Sequence, residues 1–146
     1  MKKIIKNKHI GAYGIIIENE KIALIKKARG GYKGKLDLPG GGIEHIESPI
    51  EALHRELMEE AGVIVQEENL LDVFSNNIVW KTSDDISEDL HHLGVIYQVK
   101  VIGELKQDPD GIDSLGANWY AIKELNYDEL TPFARMSLEK LGYNLK

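Results

Sequence analysis

The chain has 146 residues, and 18 lysines and arginines stand against 24 aspartates and glutamates, for a formal net charge of −6. This length suits one globular domain, and 42% apolar residues are enough to form a hydrophobic core. The absence of cysteine excludes disulfides, thiolate metal sites and a cysteine nucleophile, and it makes a reducing compartment the default. The acidic balance argues against nucleic acid as a partner, because general nucleic-acid binding needs a basic surface.

We expect neither a targeting segment nor a membrane segment. The basic residues 1–8 are followed by an apolar run, residues 10–17, that contains two glycines and lacks a small-residue cleavage site. No apolar stretch approaches the roughly 20 residues that a membrane-spanning helix needs. The sequence therefore predicts a cytoplasmic protein with no membrane partner.

Two strands and a loop are predicted near the N-terminus. Residues 9–18 are rich in β-branched side chains, and residues 21–27 alternate well enough to form the partner strand. Residues 29–35 are rich in glycine and lysine and predict a loop. Residues 36–42 contain so much glycine and proline that we expect no regular element there.

The clearest element is a helix between Ser48 and Gly62. Ser48 can cap its start, Pro49 suits the first helical position, and Glu51 completes a Ser-x-x-Glu capping box. Gly62 can end it. Four apolar residues at helical spacing form one stripe: Ile50, Leu53, Leu57 and Ala61.

The rest of the chain adds three strands and a helix. The strands are predicted over residues 71–81, 92–105 and 117–122, with an acidic loop, residues 83–90, between the first two. Residues 132–143 predict a second helix that Thr131 can cap. Because no repeat or linker interrupts this pattern, we expect a single domain over residues 1–146, built as an α/β or α+β sandwich.

Three glutamates lie on one side of the central helix. At about 100° per residue, Glu56, Glu59 and Glu60 fall within an arc of about 100° beside the apolar stripe. Like charges at this spacing repel, so the cluster is either a solvated acidic face or a site for divalent cations. The glycines of residues 40–42 let the backbone approach a metal or a phosphate closely, although a tight turn would also need them.

Residues 41–63, GGIEHIESPIEALHRELMEEAGV, resemble the Nudix box, written G-x5-E-x7-R-E-U-x-E-E-x-G-U with U a bulky aliphatic residue. Seven exact-identity positions at usages of roughly 7% each give a chance match on the order of 10⁻⁸ per starting position. Every specified position is filled: Gly41, Glu47, Arg55, Glu56, Leu57, Glu59, Glu60, Gly62 and Val63.

The resemblance implies a fold and an activity. The fold is the Nudix-type α/β/α sandwich around a mixed β-sheet. The activity is hydrolysis of a nucleoside diphosphate linked to another group X, with Mg²⁺ or Mn²⁺ as cofactor and a small nucleotide as partner. A homodimer is left open. The alternative is a catalytically silent Nudix-fold nucleotide-binding or sensor module, which usually lacks one of the box glutamates, whereas this sequence has all of them.

The resemblance also implies roles for individual residues. The three helix glutamates, Glu56, Glu59 and Glu60, are expected to bind the metal, and one of them to orient or deprotonate the water. The Gly40 carbonyl is expected to be a further ligand. Arg55 is expected to pair with Glu47 and hold the glutamates in place, although a purely structural ion pair is the alternative.

Two further residues are candidates for contacts with the substrate. Lys27 ends a predicted strand in a basic stretch and is the preferred phosphate contact, with a solvated loop as the alternative. Glu88, in the acidic loop, is the candidate for an extra ligand or base, with simple solvation as the alternative.

Ile46 stands where many family members have glycine. The substrate markers known from subfamilies are mostly missing, and Ile78 stands where the ADP-ribose branch usually has a proline, so the sequence leaves X open.

Overall fold

The computed structural model describes residues 2–112 and 114–146. These residues form eight strands, two α-helices and two short 3₁₀ turns, Ile122–Glu124 and Tyr127–Glu129. In chain order the strands and helices are β1 (Lys3–Ile15), β2 (Ile17–Glu18), β3 (Lys21–Lys27), β4 (Leu36–Asp37), β5 (Gly40–Gly42), α1 (Pro49–Ala61), β6 (Ile64–Lys81), β7 (Ile86–Ile102), β8 (Ser114–Ala121) and α2 (Pro132–Lys140). None of the helices in these ranges is long and apolar enough to cross a membrane.

The strands form two sheets. The larger has the order β5-β1-β7-β6 and is mixed, because β1 and β7 run parallel while β5 and β6 are antiparallel to their neighbours. The smaller has the order β2-β3-β4, with β8 also paired to β3, and all its named pairs are antiparallel.

The two helices lie on opposite sides of these sheets. Leu24 and Ile25 are neighbours on β3, so their side chains point to opposite faces. Ile25 shares a buried cluster with Leu57 of α1. Leu24 belongs to a second cluster, which includes Phe133 of α2. The sequence prediction of an α/β/α sandwich around a mixed sheet is confirmed.

Helix α1 begins and ends where its sequence signals predict. Ser48 Oγ accepts a hydrogen bond from Glu51 N at 3.1 Å, and Ser48 N donates to Glu51 Oε1 at 3.0 Å, which completes the capping box. Gly62 ends the helix in the left-handed conformation, with φ 71°. The predicted apolar stripe is wrong at one position, because Ile50 is 43% exposed.

Three predicted boundaries are wrong because long-range pairing extends the strands. β1 begins at residue 3 and β7 at residue 86, since the two pair in register along the whole of β1. β6 begins at residue 64, paired to the end of β7. The predicted acidic loop therefore shrinks, and Glu88 lies within β7. Helix α2 is shorter than predicted and ends at Lys140.

The prediction of irregular backbone over residues 36–42 is also wrong. Residues 36–37 form β4 against β3, and residues 40–42 form β5 against β1. Close approach explains why glycine is needed in β5: Gly40 has φ 144°, and a Cβ on it would overlap the carbonyl oxygen of Ala12. This pairing fixes the glycine-rich strand β5 beside α1.

Candidate active site

The glycine-rich strand leaves room for a carboxylate of α1. A Cβ on Gly41 would lie 2.6 Å from Oε2 of Glu56, which is closer than non-bonded atoms tolerate. Any side chain at Gly41 would therefore displace the Glu56 carboxylate. The box glycine and the box glutamate are in direct contact, which the sequence pattern alone does not show.

Arg55 and Glu47 form a two-point ion pair. Arg55 Nε donates to Glu47 Oε2 at 2.7 Å, and Arg55 Nη2 donates to Glu47 Oε1 at 2.8 Å. These bonds, together with a hydrogen bond from the Glu44 backbone, lower the pKa of Glu47 to about 2. The pKa of Arg55 is raised by the same partner. The pair fixes the loop that precedes α1 to the helix itself.

The remaining donors of Arg55 reach the glutamate cluster and the glycine-rich strand. Nη1 donates to Glu56 Oε1 at 2.9 Å and to Glu59 Oε2 at 3.2 Å, and Nη2 donates to the Gly42 carbonyl at 2.9 Å. With the two bonds to Glu47, the guanidinium uses all of the five N–H donors that arginine has. One side chain thus sets the positions of three carboxylates relative to β5.

Glu60 has a different environment from its neighbours. Its Oε1 atom is buried, and none of the described residues forms a hydrogen bond with it. Burial raises the pKa of Glu60 to about 9, with smaller upward contributions from Asp37 and Glu56, while the positive charge of Lys27 opposes the shift. A cation beside this carboxyl group would stabilise its ionised form.

The donor set around Glu60 fits a hard divalent cation. The glutamate cluster supplies carboxylate oxygens and Gly40 supplies a backbone carbonyl, which are the ligands that Mg²⁺ and Mn²⁺ take in proteins. As the side chains stand, no three acidic or histidine residues of the described ranges converge on one point. Arg55 hydrogen-bonds the carboxylates of Glu56 and Glu59.

A cavity of about 380 Å³ has Lys27 and Asp37 in its wall, and the charges of these two residues shift the pKa of Glu60. Lys27 lines the cavity, and its charge lowers the pKa of both Glu60 and Asp37. Aromatic and polar side chains form much of the remaining wall: His9, Tyr32, Asp37, Trp80 and His92. The structure thus places Lys27 in the wall of the cavity, where its charge acts on two acidic residues, Asp37 and Glu60.

Sequence reasoning missed two of the cavity residues. Tyr13 and His92 are buried, and Tyr13 Oη and His92 Nε2 are 2.7 Å apart. Burial lowers the pKa of His92 to about 4, with smaller contributions from His9 and Lys27, so its ring is neutral near pH 7. Because Tyr13 and His92 are 79 residues apart in the chain, no local sequence pattern indicates that they pair. The sequence analysis assigned no role to either residue.

The structure does not bring Glu88 to the glutamate cluster. Glu88 is in register with Ile5, whereas Gly41 is in register with Ala12, seven residues further along β1. Seven residues of strand span about 23 Å. Glu88 instead accepts hydrogen bonds from Trp80 Nε1 at 2.7 Å and from Asn7 Nδ2 at 2.6 Å. Because the strand pairing carries it away from the cluster, Glu88 is corrected from a candidate ligand or base to a support for Trp80.

Comparisons with known proteins agree with this geometry. The family model described as NUDIX domain matches residues 8–141. Over 121 residues, 75% of this chain and 68% of that protein, the chain is 36% identical to the ADP-ribose pyrophosphatase of Methanocaldococcus jannaschii. Over 132 residues, 89% of this chain and 93% of that protein, it is 28% identical to the 8-oxo-dGTP diphosphatase of Escherichia coli.

The fold has a close counterpart among solved structures. The crystal structure of a MutT NUDIX hydrolase from Burkholderia pseudomallei superposes with a TM-score of 0.75 at 26% identity, and the match covers 92% of this chain and 98% of that one. Fold, site and relatives define a hydrolase that acts on phosphoanhydride bonds. The chain belongs to the NUDIX family, as a MutT-like member.

Proposed function

We propose that this chain hydrolyses the pyrophosphate bond of a nucleoside diphosphate linked to another group, with Mg²⁺ or Mn²⁺ as cofactor, and that residues 1–146 form one domain. The observation that carries the proposal is the buried, unpartnered Oε1 of Glu60, a carboxyl group whose pKa is lowered by the charge of Lys27, which lines a cavity. Two pyrophosphate-cleaving relatives support the reaction, since their names specify ADP-ribose and 8-oxo-dGTP as substrates.

The metal would be held by Glu56, Glu59, Glu60 and the Gly40 carbonyl. When bound, a divalent ion neutralises phosphate oxygens and lowers the pKa of an attacking water. Arg55, held by Glu47, positions the glutamates, because its hydrogen bonds set where Glu56 and Glu59 lie before the metal arrives.

The substrate would lie with its phosphates at the glutamates and its organic part in the cavity. Lys27 contributes a positive charge between these two places, which attracts the phosphate oxygens in a chain that is otherwise acidic. Aromatic walls at Tyr32 and Trp80 suit a flat ring. The complete set of box glutamates favours turnover over a silent nucleotide sensor.

The test is a hydrolysis screen of nucleoside diphosphate derivatives and nucleoside triphosphates in Mg²⁺, in Mn²⁺ and in excess chelator, with products identified by mass spectrometry. We expect cleavage between phosphorus atoms in either metal and none in chelator. Glu139→Gln, an exposed change on α2, is the matched control and should keep wild-type turnover. Turnover that survives exhaustive chelation would contradict the mechanism.

A further inference from the structure

Strand β6 is the last strand of the larger sheet, and one of its two edges has no neighbouring strand. The sheet order β5-β1-β7-β6 places β7 along its other edge. Within the described part of the chain, no backbone hydrogen bond joins residues 73–81 to any segment other than β7. Their outer edge is therefore open to a strand from another molecule.

The open edge of β6 carries no charge over residues 73–80, VFSNNIVW. This stretch also has no proline, and its pairing with β7 is regular, because both register shifts of β6 come before residue 73. Its valine, isoleucine, phenylalanine and tryptophan side chains favour strands. Lysines, prolines and bulges are what keep edge strands from associating, and this stretch has none of them.

A second stretch of open edge, at the start of β1, is protected instead. β5 pairs with β1 only at residues 11–13, so residues 3–8 of β1 extend beyond it. This stretch contains Lys3, Lys6 and Lys8. Lysines along an edge repel a second copy of the same strand. We therefore expect association at β6 and not at β1.

Alternate residues of β6 direct their backbone groups outward. Thr82 N donates to Ile86 O at 2.9 Å across the turn between β6 and β7, whereas Val73 N donates to Asp72 Oδ1 at 2.7 Å. In an antiparallel ladder the N–H and C=O of one residue point to the same side, and successive residues alternate. The residues that point outward share one face of the sheet, where all of them are exposed: Val73, Ser75, Asn77 and Val79.

This stretch is complementary to a second copy of itself about a two-fold axis at Asn76. Residues that pair across antiparallel strands have their side chains on the same face. The axis therefore pairs Val73 with the partner's Val79, and Ser75 with the partner's Asn77. The two valines are 55% and 60% exposed, and they would cover each other. An axis one residue further on would place both valines opposite polar side chains.

The charges that flank the stretch are complementary across the same axis. Asp72 comes before it and Lys81 after it. Antiparallel pairing brings the start of one strand to the end of the other, so Asp72, which contacts Lys140 at 3.2 Å, would gain a second cation in the partner's Lys81. Parallel pairing would bring like charges together. Because each copy uses its open edge in the pairing, association closes at two copies.

We propose that two copies of this chain form a dimer through residues 73–80 of β6, which pair antiparallel about a two-fold axis at Asn76. The two larger sheets then become one continuous sheet. The same strand bears on the cavity, since Asn76 donates to Tyr32 Oη at 2.6 Å and Trp80 lines the wall. The two cavities would lie on the same face of the joined sheet, one on each side of the axis.

Sedimentation equilibrium over a concentration series measures this association and needs no substrate, so a failure of the proposed function would not affect it. We expect the wild type to sediment at twice the chain mass of 16.4 kDa. Val79→Lys places a lysine on the paired edge and should raise the dissociation constant of the dimer about tenfold or more. Ile64→Lys is the matched control, because Ile64 is a similarly exposed β-branched residue of β6 outside the paired stretch, and it should associate like the wild type.

Single cysteines test the register, because this chain has no cysteine of its own. In Asn76→Cys each cysteine faces its own copy across the axis, with Cα atoms about 4.5 Å apart, which a disulfide can bridge. In Asn77→Cys the two cysteines are diagonal neighbours about 7–8 Å apart, beyond the reach of a disulfide. Under mild oxidation we expect a covalent dimer from Asn76→Cys and none from Asn77→Cys on a non-reducing gel.

Three outcomes would overturn the proposal. The first is a wild type that sediments as a monomer at every concentration, or as open-ended aggregates. The second is a Val79→Lys variant that melts and associates like the wild type. The third is equal cross-linking of the two cysteine variants. The wild type and the cysteine variants decide the question even where Val79→Lys does not fold.

Discussion

Arg55 contacts Glu47 through two parallel hydrogen bonds, of 2.7 and 2.8 Å, and this pair links the loop before α1 to the helix that carries the glutamates. A planar guanidinium can make such a fork, whereas the point charge of lysine cannot. The pair thus does more than balance charge, because it orients the donors that reach Glu56 and Glu59.

The geometry predicts that Arg55→Lys is not a conservative change. Lysine keeps the positive charge but cannot bond Glu47, Glu56 and Glu59 together, so the carboxylates lose their common anchor. We expect kcat to fall about 10- to 100-fold, and the affinity for Mn²⁺, measured by calorimetry, to weaken in parallel. An equal loss of activity with unchanged Mn²⁺ affinity would contradict the positioning role.

The raised pKa of Glu60 predicts how the stability of the metal-free protein depends on pH. Its pKa is raised to about 9 in the folded chain, against 4.5 for an ordinary glutamate, because burial disfavours the anion. Between these two values the folded state holds the proton that the unfolded state has lost, so this group makes the free energy of unfolding fall as pH rises.

The comparison with Glu60→Gln isolates this contribution. In chelator, the melting temperature of the wild type should fall relative to that of Glu60→Gln as pH is raised from 5 to 8, since glutamine does not titrate. Mn²⁺ should raise the melting temperature of the wild type more at pH 8 than at pH 5. Parallel pH profiles for the two proteins would contradict the raised pKa of Glu60.

Ile46 is a strained residue in the loop before α1. It has φ 60°, which β-branched side chains rarely adopt, and its side chain is 92% exposed, so no packing compensates the strain. We expect Ile46→Gly to raise the free energy of unfolding by about 1 kcal/mol. Glycine adopts this φ without strain, and the strain that is removed exceeds the extra conformational entropy that glycine loses on folding. Denaturant titration measures this change. Ile46→Val, which keeps the β-branch, is the control and should show no gain.

Glu88 provides a test of the strand pairing. Because it lies far along β1 and β7 from the glutamates and bonds Trp80 and Asn7, Glu88→Gln should leave kcat in saturating metal within about twofold of the wild type. Steady-state assays across a Mn²⁺ series check this. A loss of a hundredfold or more would show that Glu88 acts in the chemistry and that the arm of β6 and β7 is placed differently.

Local signals made α1 predictable, and nonlocal contacts made the cavity unpredictable. The capping box at Ser48 and the left-handed Gly62 lie at the helix ends that they define, so a short stretch of sequence is enough to predict both ends. The bond between Asp37 and Thr131 joins residues 94 apart, and nothing in either local pattern indicates it. The position of Asp37 between two leucines is the local sequence feature that indicates a buried carboxylate.

Strand boundaries were hidden for the same reason. Residues 3–8 and 86–91 are polar enough to suggest loops, yet each is the other's partner in β1 and β7. Strand propensity reflects what a segment pairs with more than its own composition. The position of Glu88 in a strand, and hence its distance from the glutamates, follows from this pairing and could not be predicted from the acidic sequence alone.

The most direct test of metal-dependent hydrolysis by the helix glutamates is the turnover of Glu59→Gln, measured beside its melting temperature. Glu59 is an exposed side chain whose hydrogen bond in the structure is from Arg55, so the nearly isosteric amide should leave the fold intact. We predict a loss of about 10²-fold or more in the rate of pyrophosphate cleavage, because on the proposed mechanism the change would remove one ligand charge from the metal site that stabilises the transition state. A variant that melts like the wild type and keeps wild-type turnover would contradict this claim.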